Sequence, residues 1–88
     1  MTLKTFYLHS NGHKSITFLE TINVESARNK MNDSDFDTFL SNKYDEILER
    51  HGHRWGLVVK LCDKDRVISE MTKIDIQIMK RANNLQTI

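Results

Sequence analysis

Proline is absent from this chain, cysteine occurs once, glycine occurs three times, and neither sign of charge is in clear excess. Each shortage removes a class. A lone Cys62 allows no intrachain disulfide, so this is not read as a small cross-linked secreted scaffold. With so little glycine there is no phosphate-cradling loop: no P-loop, no Gly-x-Gly-x-x-Gly turn and no Gly-x-Ser-x-Gly elbow occurs. Thirteen basic residues against twelve acidic ones leave a net charge of +1, which fits neither a strongly basic nucleic-acid binder nor an acidic mimic of one. No apolar run approaches the ~18 residues of a membrane span. The segment Met1-Thr2-Leu3-Lys4 opens into alternating residues rather than an apolar leader. The expectation is a cytoplasmic protein with no membrane partner. The missing proline carries no functional meaning of its own.

What is present is 88 residues, 39% hydrophobic and 28% charged, the size and composition of one domain over residues 1–88. A core in so short a chain leaves little room for a deep cleft, so function through a surface or through oligomerisation is expected. Leu3–Ser10 and Lys14–Ile22 alternate around Asn11-Gly12 and predict a hairpin. A three-residue loop over Asn11 to His13 pairs Leu8 with Ile16, Phe6 with Phe18 and Lys4 with Glu20, which collects the apolar residues on one face. The other face then shows Thr5, Tyr7, His9, Ser15, Thr17 and Leu19. Trp55–Cys62 and Arg66–Met71 predict a second hairpin around Asp63-Lys64-Asp65, pairing Leu61 with Val67, Val59 with Ser69 and Leu57 with Met71.

Between the hairpins, Asn23 caps a short predicted helix ending near Asn32, with Val24, Ala27 and Met31 on one face. Ser34 and Asp37 resemble a capping box. From there Phe36, Phe39, Leu40, Tyr44, Ile47 and Leu48 form a helical stripe that ends at Gly52. Residues 73–85 read two ways. Ile74, Ile76 and Ile78 alternate as in a strand, whereas Ile74, Ile78, Ala82 and Leu85 fall at helical spacing after a Thr72/Asp75 capping box. Helix is favoured. The expected fold is α+β in the order ββααββα, a four-stranded antiparallel sheet of two hairpins packed on a long central helix. Its expected core is Phe6, Leu8, Ile16, Phe18, Phe39, Leu40, Ile47, Leu57, Val59, Leu61 and Val67.

Chemistry is sparse. His9 and His13 flank one turn and His51 and His53 another, but neither pair has zinc-module spacing, and solvent-facing turn residues are the plainer reading. No metal or cofactor is expected. Cys62 stands beside Asp63, whose carboxylate works against a thiolate nucleophile. Asp33, Asp35 and Asp37 suit a helix N-terminus better than a catalytic pair. The chain is therefore read as non-enzymatic.

Two surfaces remain. In His51-Gly52-His53-Arg54-Trp55-Gly56, the residues His53, Arg54 and Trp55 form a candidate partner-binding loop, because Trp and Arg are enriched at interface hot spots. The plainer alternative has Trp55 covering the core edge. The second surface is the polar sheet face, where Tyr7, His9, Lys60 and Arg66 are candidates for stacking bases and meeting phosphates. Its plainer reading is an ordinary solvated face. Leu19, Val58 and Ile68 interrupt the polar positions and suit a homodimer or another partner.

In size and style, though by no motif, the chain resembles the small cytosolic proteins that bacteriophages and mobile elements use to bind and redirect host proteins. That resemblance implies a non-enzymatic binder that inhibits or modulates a bacterial protein partner, a defence nuclease or a toxin being a natural target. The alternative is a small RNA- or DNA-binding regulator using the polar sheet face.

Overall fold

Four strands pair into one antiparallel sheet: β1 (Thr2–Leu8), β2 (Ile16–Asn23), β3 (Leu57–Asp63) and β4 (Arg66–Thr72), in the spatial order β2-β1-β3-β4. Helices α1 (Glu25–Lys30) and α2 (Asp33–Arg50) lie between the hairpins in sequence, and α3 (Lys73–Gln86) follows β4. This is the α+β order ββααββα read from the sequence. The computed structural model describes residues 1–9, 15–52 and 55–86, the side chains of the last four of these aside.

Local signals explain the helix starts. The Asn32 side chain accepts the Asp35 N–H at 2.8 Å, so Asn32 caps α2 in place of the expected Ser34. Asn23 accepts the Glu25 N–H at 2.9 Å ahead of α1. At α3 the expected capping box forms in both directions. Thr72 Oγ1 accepts the Asp75 N–H at 3.2 Å, and Asp75 Oδ2 accepts the Thr72 N–H at 3.0 Å. The Thr72 N–H and, after it, the Thr72 hydroxyl, which donates to the same Oδ2 at 3.0 Å, hold the Asp75 carboxyl below its ordinary range.

The core lies between the sheet and α2. Phe36, Leu40, Tyr44, Ile47 and Leu48 of α2 meet Leu3, Leu57, Val59 and Leu61 of the sheet, with Val24 and Ile76 closing the two sides. Each such burial contributes roughly 1.5–3 kcal/mol. Phe39 is half-buried at the margin. On α3 the buried position is Ile76, while Ile74 and Ile78 of the expected stripe face outward, 50% and 62% exposed.

The main correction concerns the first hairpin. Leu8 pairs with Ile16 and Phe6 with Phe18 as expected, yet this apolar face is turned away from the helices. β1 also pairs with β3, setting Leu3 opposite Leu61, Thr5 opposite Val59 and Tyr7 opposite Leu57. Side chains alternate along a strand, so the faces of β1 follow those of β3. The Leu57/Val59/Leu61 set goes to α2 and carries Leu3, Thr5 and Tyr7 with it. Phe6, Leu8, Ile16 and Phe18 are thereby excluded from the core.

Each edge strand also contains one extra residue. In β2 it is Leu19, between Phe18 (opposite Phe6) and Glu20 (opposite Thr5, not Lys4). In β4 it is Ile68, between Val67 (opposite Cys62) and Ser69 (opposite Leu61). These bulges reverse the phase of alternation within the strand. Val67 consequently leaves the expected core and is 50% exposed. The second turn is tighter than expected, with Asp63 opposite Arg66 and Lys64 in the left-handed region at φ 55°.

Candidate functional interface

All three helices pack on one side of the sheet, and the opposite side has no covering layer among the described residues. The shape reflects this: the principal extents are 42 × 34 × 19 Å, a slab about as thick as one helix layer on one sheet layer. Cross-strand register lays out the uncovered face in rows. Ile16 and Leu8 form the first. Phe18, Phe6, Val58 and Thr72 form the second. Thr21, Lys4, Lys60 and Glu70 form the third, and Asn23, Thr2, Cys62 and Val67 the fourth.

The first two rows are almost wholly apolar, and on β1 and β2 they are open to solvent: Ile16 is 61%, Phe18 55% and Leu8 44% exposed, with Phe6 half-buried and Val58 buried beside them. The Phe6 and Phe18 rings meet edge to face, centroids 5.7 Å apart, an arrangement that holds both rings in place. The Lys60 ammonium stands 5.3 Å from the Phe6 centroid. Among the described residues neither Lys4 nor Lys60 is in a salt bridge. The middle of the third row, Lys4 and Lys60, is thus a basic margin along one side of an apolar surface, with Glu70 at the β4 end of the row.

Trp55 extends that surface at its β3 end. The residue is 69% exposed, so it does not cover the core edge. The Lys73 ammonium stacks over it at 4.2 Å. A pocket of about 210 Å³ lies between Trp55 and Ile74, floored by Leu8, Val58 and Thr72 of the open face. Of the three residues proposed for the loop, Trp55 therefore adjoins the apolar rows. His53 and Arg54 lie outside the described residues.

Of the four polar-face candidates only Tyr7 and His9 come together. Tyr7 pairs with Leu57 and is half-buried on the helix side. His9 lies beside it, ring centroids 4.6 Å apart, with Nε2 2.6 Å from Thr17 Oγ1. Lys60 points to the opposite face. Arg66 stands across from Asp63 at the far end of the sheet, roughly 20 Å along the strands from Tyr7 at about 3.3 Å per residue. Of the interrupting apolar residues, Leu19 packs on the core, Val58 is buried on the open face, and Ile68 is half-exposed beside Met1 and Phe36.

No group of His, Cys, Asp and Glu suited to a metal occurs among the described residues. His51 instead meets Glu20, Nε2 to Oε2 at 2.5 Å, and Arg50 grips the same carboxylate through Nε at 3.1 Å and Nη2 at 2.7 Å. Burial raises the Glu20 pKa, but the bonds from His51 and Arg50 prevail and hold it below the ordinary 4.5. Burial also pushes the Tyr44 phenol upward, with its hydrogen bond to Ser69 working the other way. Both clusters tie α2 to the sheet and are remote from the open face.

The open-face residues are legible as apolar in the sequence, where an apolar strand face predicts a core face. The signal that separates them lies in β3. Leu57-Val58-Val59-Lys60-Leu61-Cys62 is nearly continuous in apolar character, and all of it but Lys60 is buried. Such a run is typical of a strand covered on both faces. On the open side Val58 and Cys62 are accordingly buried, and the apolar residues left exposed in the first two rows belong to β1 and β2. No helix among them is long and apolar enough to cross a membrane. Comparisons with known proteins add no relative: no family model, curated protein or solved structure matches the chain.

Proposed function

We propose that this chain is a non-enzymatic binding protein that docks the open face of its sheet, with Trp55 at one end, onto a protein partner and thereby inhibits or modulates it. The observation that carries this reading is the solvent exposure of Ile16, Phe18 and Leu8 together on one helix-free face. Small domains bury one face of a sheet and keep the other polar. A contiguous apolar face with a polar margin has the make-up of an interaction site. Its anchors are aromatic and held in place, so little side-chain entropy is lost on docking. A bacterial macromolecule, such as a nuclease or toxin, remains the partner class that the size and style of the chain suggest.

The test is affinity capture from bacterial lysate with the wild-type chain and with Phe18→Asp, both checked for an unchanged fold by circular dichroism. Phe18 is more than half exposed, so the substitution spares the core. The expected result is a protein retained by the wild type after nuclease treatment and lost with Phe18→Asp. Equal capture by both chains, or loss of every protein on nuclease treatment, overturns the reading.

A further inference from the structure

We infer that the occupant of the open face is a short partner segment carrying bulky apolar anchors with carboxylates along one flank, rather than a second copy of this chain. The inference rests on the docking role proposed above and names the chemistry of the partner.

Three observations lead to it. The first is extent. The apolar part of the face spans β2 and β1, from Ile16 and Phe18 to Leu8 and Phe6, with Val58 of β3 buried beside them. With strands about 4.8 Å apart and successive same-face residues about 6.6 Å apart, its footprint is on the order of 300 Å² once Trp55 and Ile74 are added. A stable dimer needs about 800 Å² per subunit. The apolar rows suit a peptide-sized ligand and fall short of a subunit interface.

The second is charge. A copy overlapping the whole face would bring in the row's two ammonium groups, Lys4 and Lys60, with a single carboxylate, Glu70, so that ammonium groups are desolvated in excess of acceptors. Lys4 and Lys60 adjoin the aromatic pair and take no salt-bridge partner among the described residues. A segment seated on Phe6 and Phe18 would bring its flank over that row, and carboxylates there complete the pairing.

The third is the blunting of the edges. Strand addition requires a flat ladder at β2 or β4, and each of these edge strands carries a bulge, at Leu19 and Ile68. The face, not the rim, is therefore the accessible docking surface.

The test uses a displayed library of random peptides selected against the wild-type chain, with sedimentation velocity run on the same protein. The expected selection is enriched for peptides with two or three large apolar residues and neighbouring Asp or Glu. Their binding should fall at least tenfold with Lys4→Glu/Lys60→Glu and vanish with Phe18→Asp, while the chain sediments as a monomer. Enriched peptides without acidic residues, or binding unaffected by the double charge reversal, overturn the inference but leave the face as docking site. Peptides indifferent to Phe18→Asp overturn the face itself. A dimer abolished by Phe18→Asp, or no enrichment at all, overturns the inference in favour of a second copy or a different occupant.

Discussion

Gly56 and Leu8 fit together so closely that no side chain can stand between them. The Gly56 carbonyl oxygen accepts the Leu8 N–H at 2.8 Å. A Cβ on Gly56 would lie 2.4 Å from the Leu8 carbonyl oxygen, at a φ of +88°. Both the clash and the left-handed backbone exclude an alanine. Gly56→Ala should cost about 2–3 kcal/mol, readable as a fall in Tm of about 10 °C or more. It should also disturb the Trp55 pocket, which Gly56 lines. An unchanged Tm would show that the β1–β3 contact is not as tight as described.

Thr5 makes the opposite prediction. It is fully buried opposite Val59, and its hydroxyl has no hydrogen-bond partner among the described residues. Thr5→Val keeps the shape and removes an unsatisfied polar group. It should stabilise the fold by about 1 kcal/mol, raising Tm by several degrees in thermal denaturation. Destabilisation would mean that the hydroxyl has a partner in solution.

Acid should loosen the join between β2 and α2. Because the Glu20 pKa is held below 4.5, its contribution is complete above that pH and is lost as pH falls through the depressed value. Glu20→Gln should lower stability at neutral pH by about 1 kcal/mol, given the partly exposed Arg50 partner. It should also flatten the acid limb of the stability profile. Parallel Tm-against-pH curves for the two chains would refute the assignment.

The cap of α3 is testable by itself. Thr72→Ala removes the acceptor of the Asp75 N–H and should cost about 1 kcal/mol. The loss should be local, seen as faster amide exchange in the first turns of α3, with the Phe6–Phe18 face unchanged. Uniform acceleration across the sheet would instead make α3 part of the global folding unit.

How far the sequence discloses this molecule differs between local and non-local features. The stripe of α2, the Thr72/Asp75 cap and the pairing of Phe6 with Phe18 depend on neighbours in the chain, and all were legible. Which face of the hairpin turns inward was not. It is decided where Leu3 and Thr5 meet Leu61 and Val59, across more than fifty residues. Alternation misled further because Leu19 and Ile68 each interrupt it once. The candidate interface suffered from the same cause. Composition marks Trp55, whereas Phe6, Leu8, Ile16 and Phe18 read as core because an apolar strand face is ordinarily an inward one.

The bulge at Leu19 gives this chain an uneven mutational landscape. Upstream of it β2 supplies Phe18 to the open face, and downstream it supplies Glu20 and Ile22 to the helix side. Replacing Leu19 by another residue alters one side chain. Removing its codon only closes the bulge: Phe18 stays opposite Phe6, Glu20 opposite Thr5 and Ile22 opposite Leu3, now in regular alternation, at the loss of the contact Leu19 makes with the core. A lineage carrying this fold can therefore gain or lose the residue at position 19 without turning either face of β2, so distant kin are better sought by a pattern that lets the spacing between Phe18 and Ile22 differ by one.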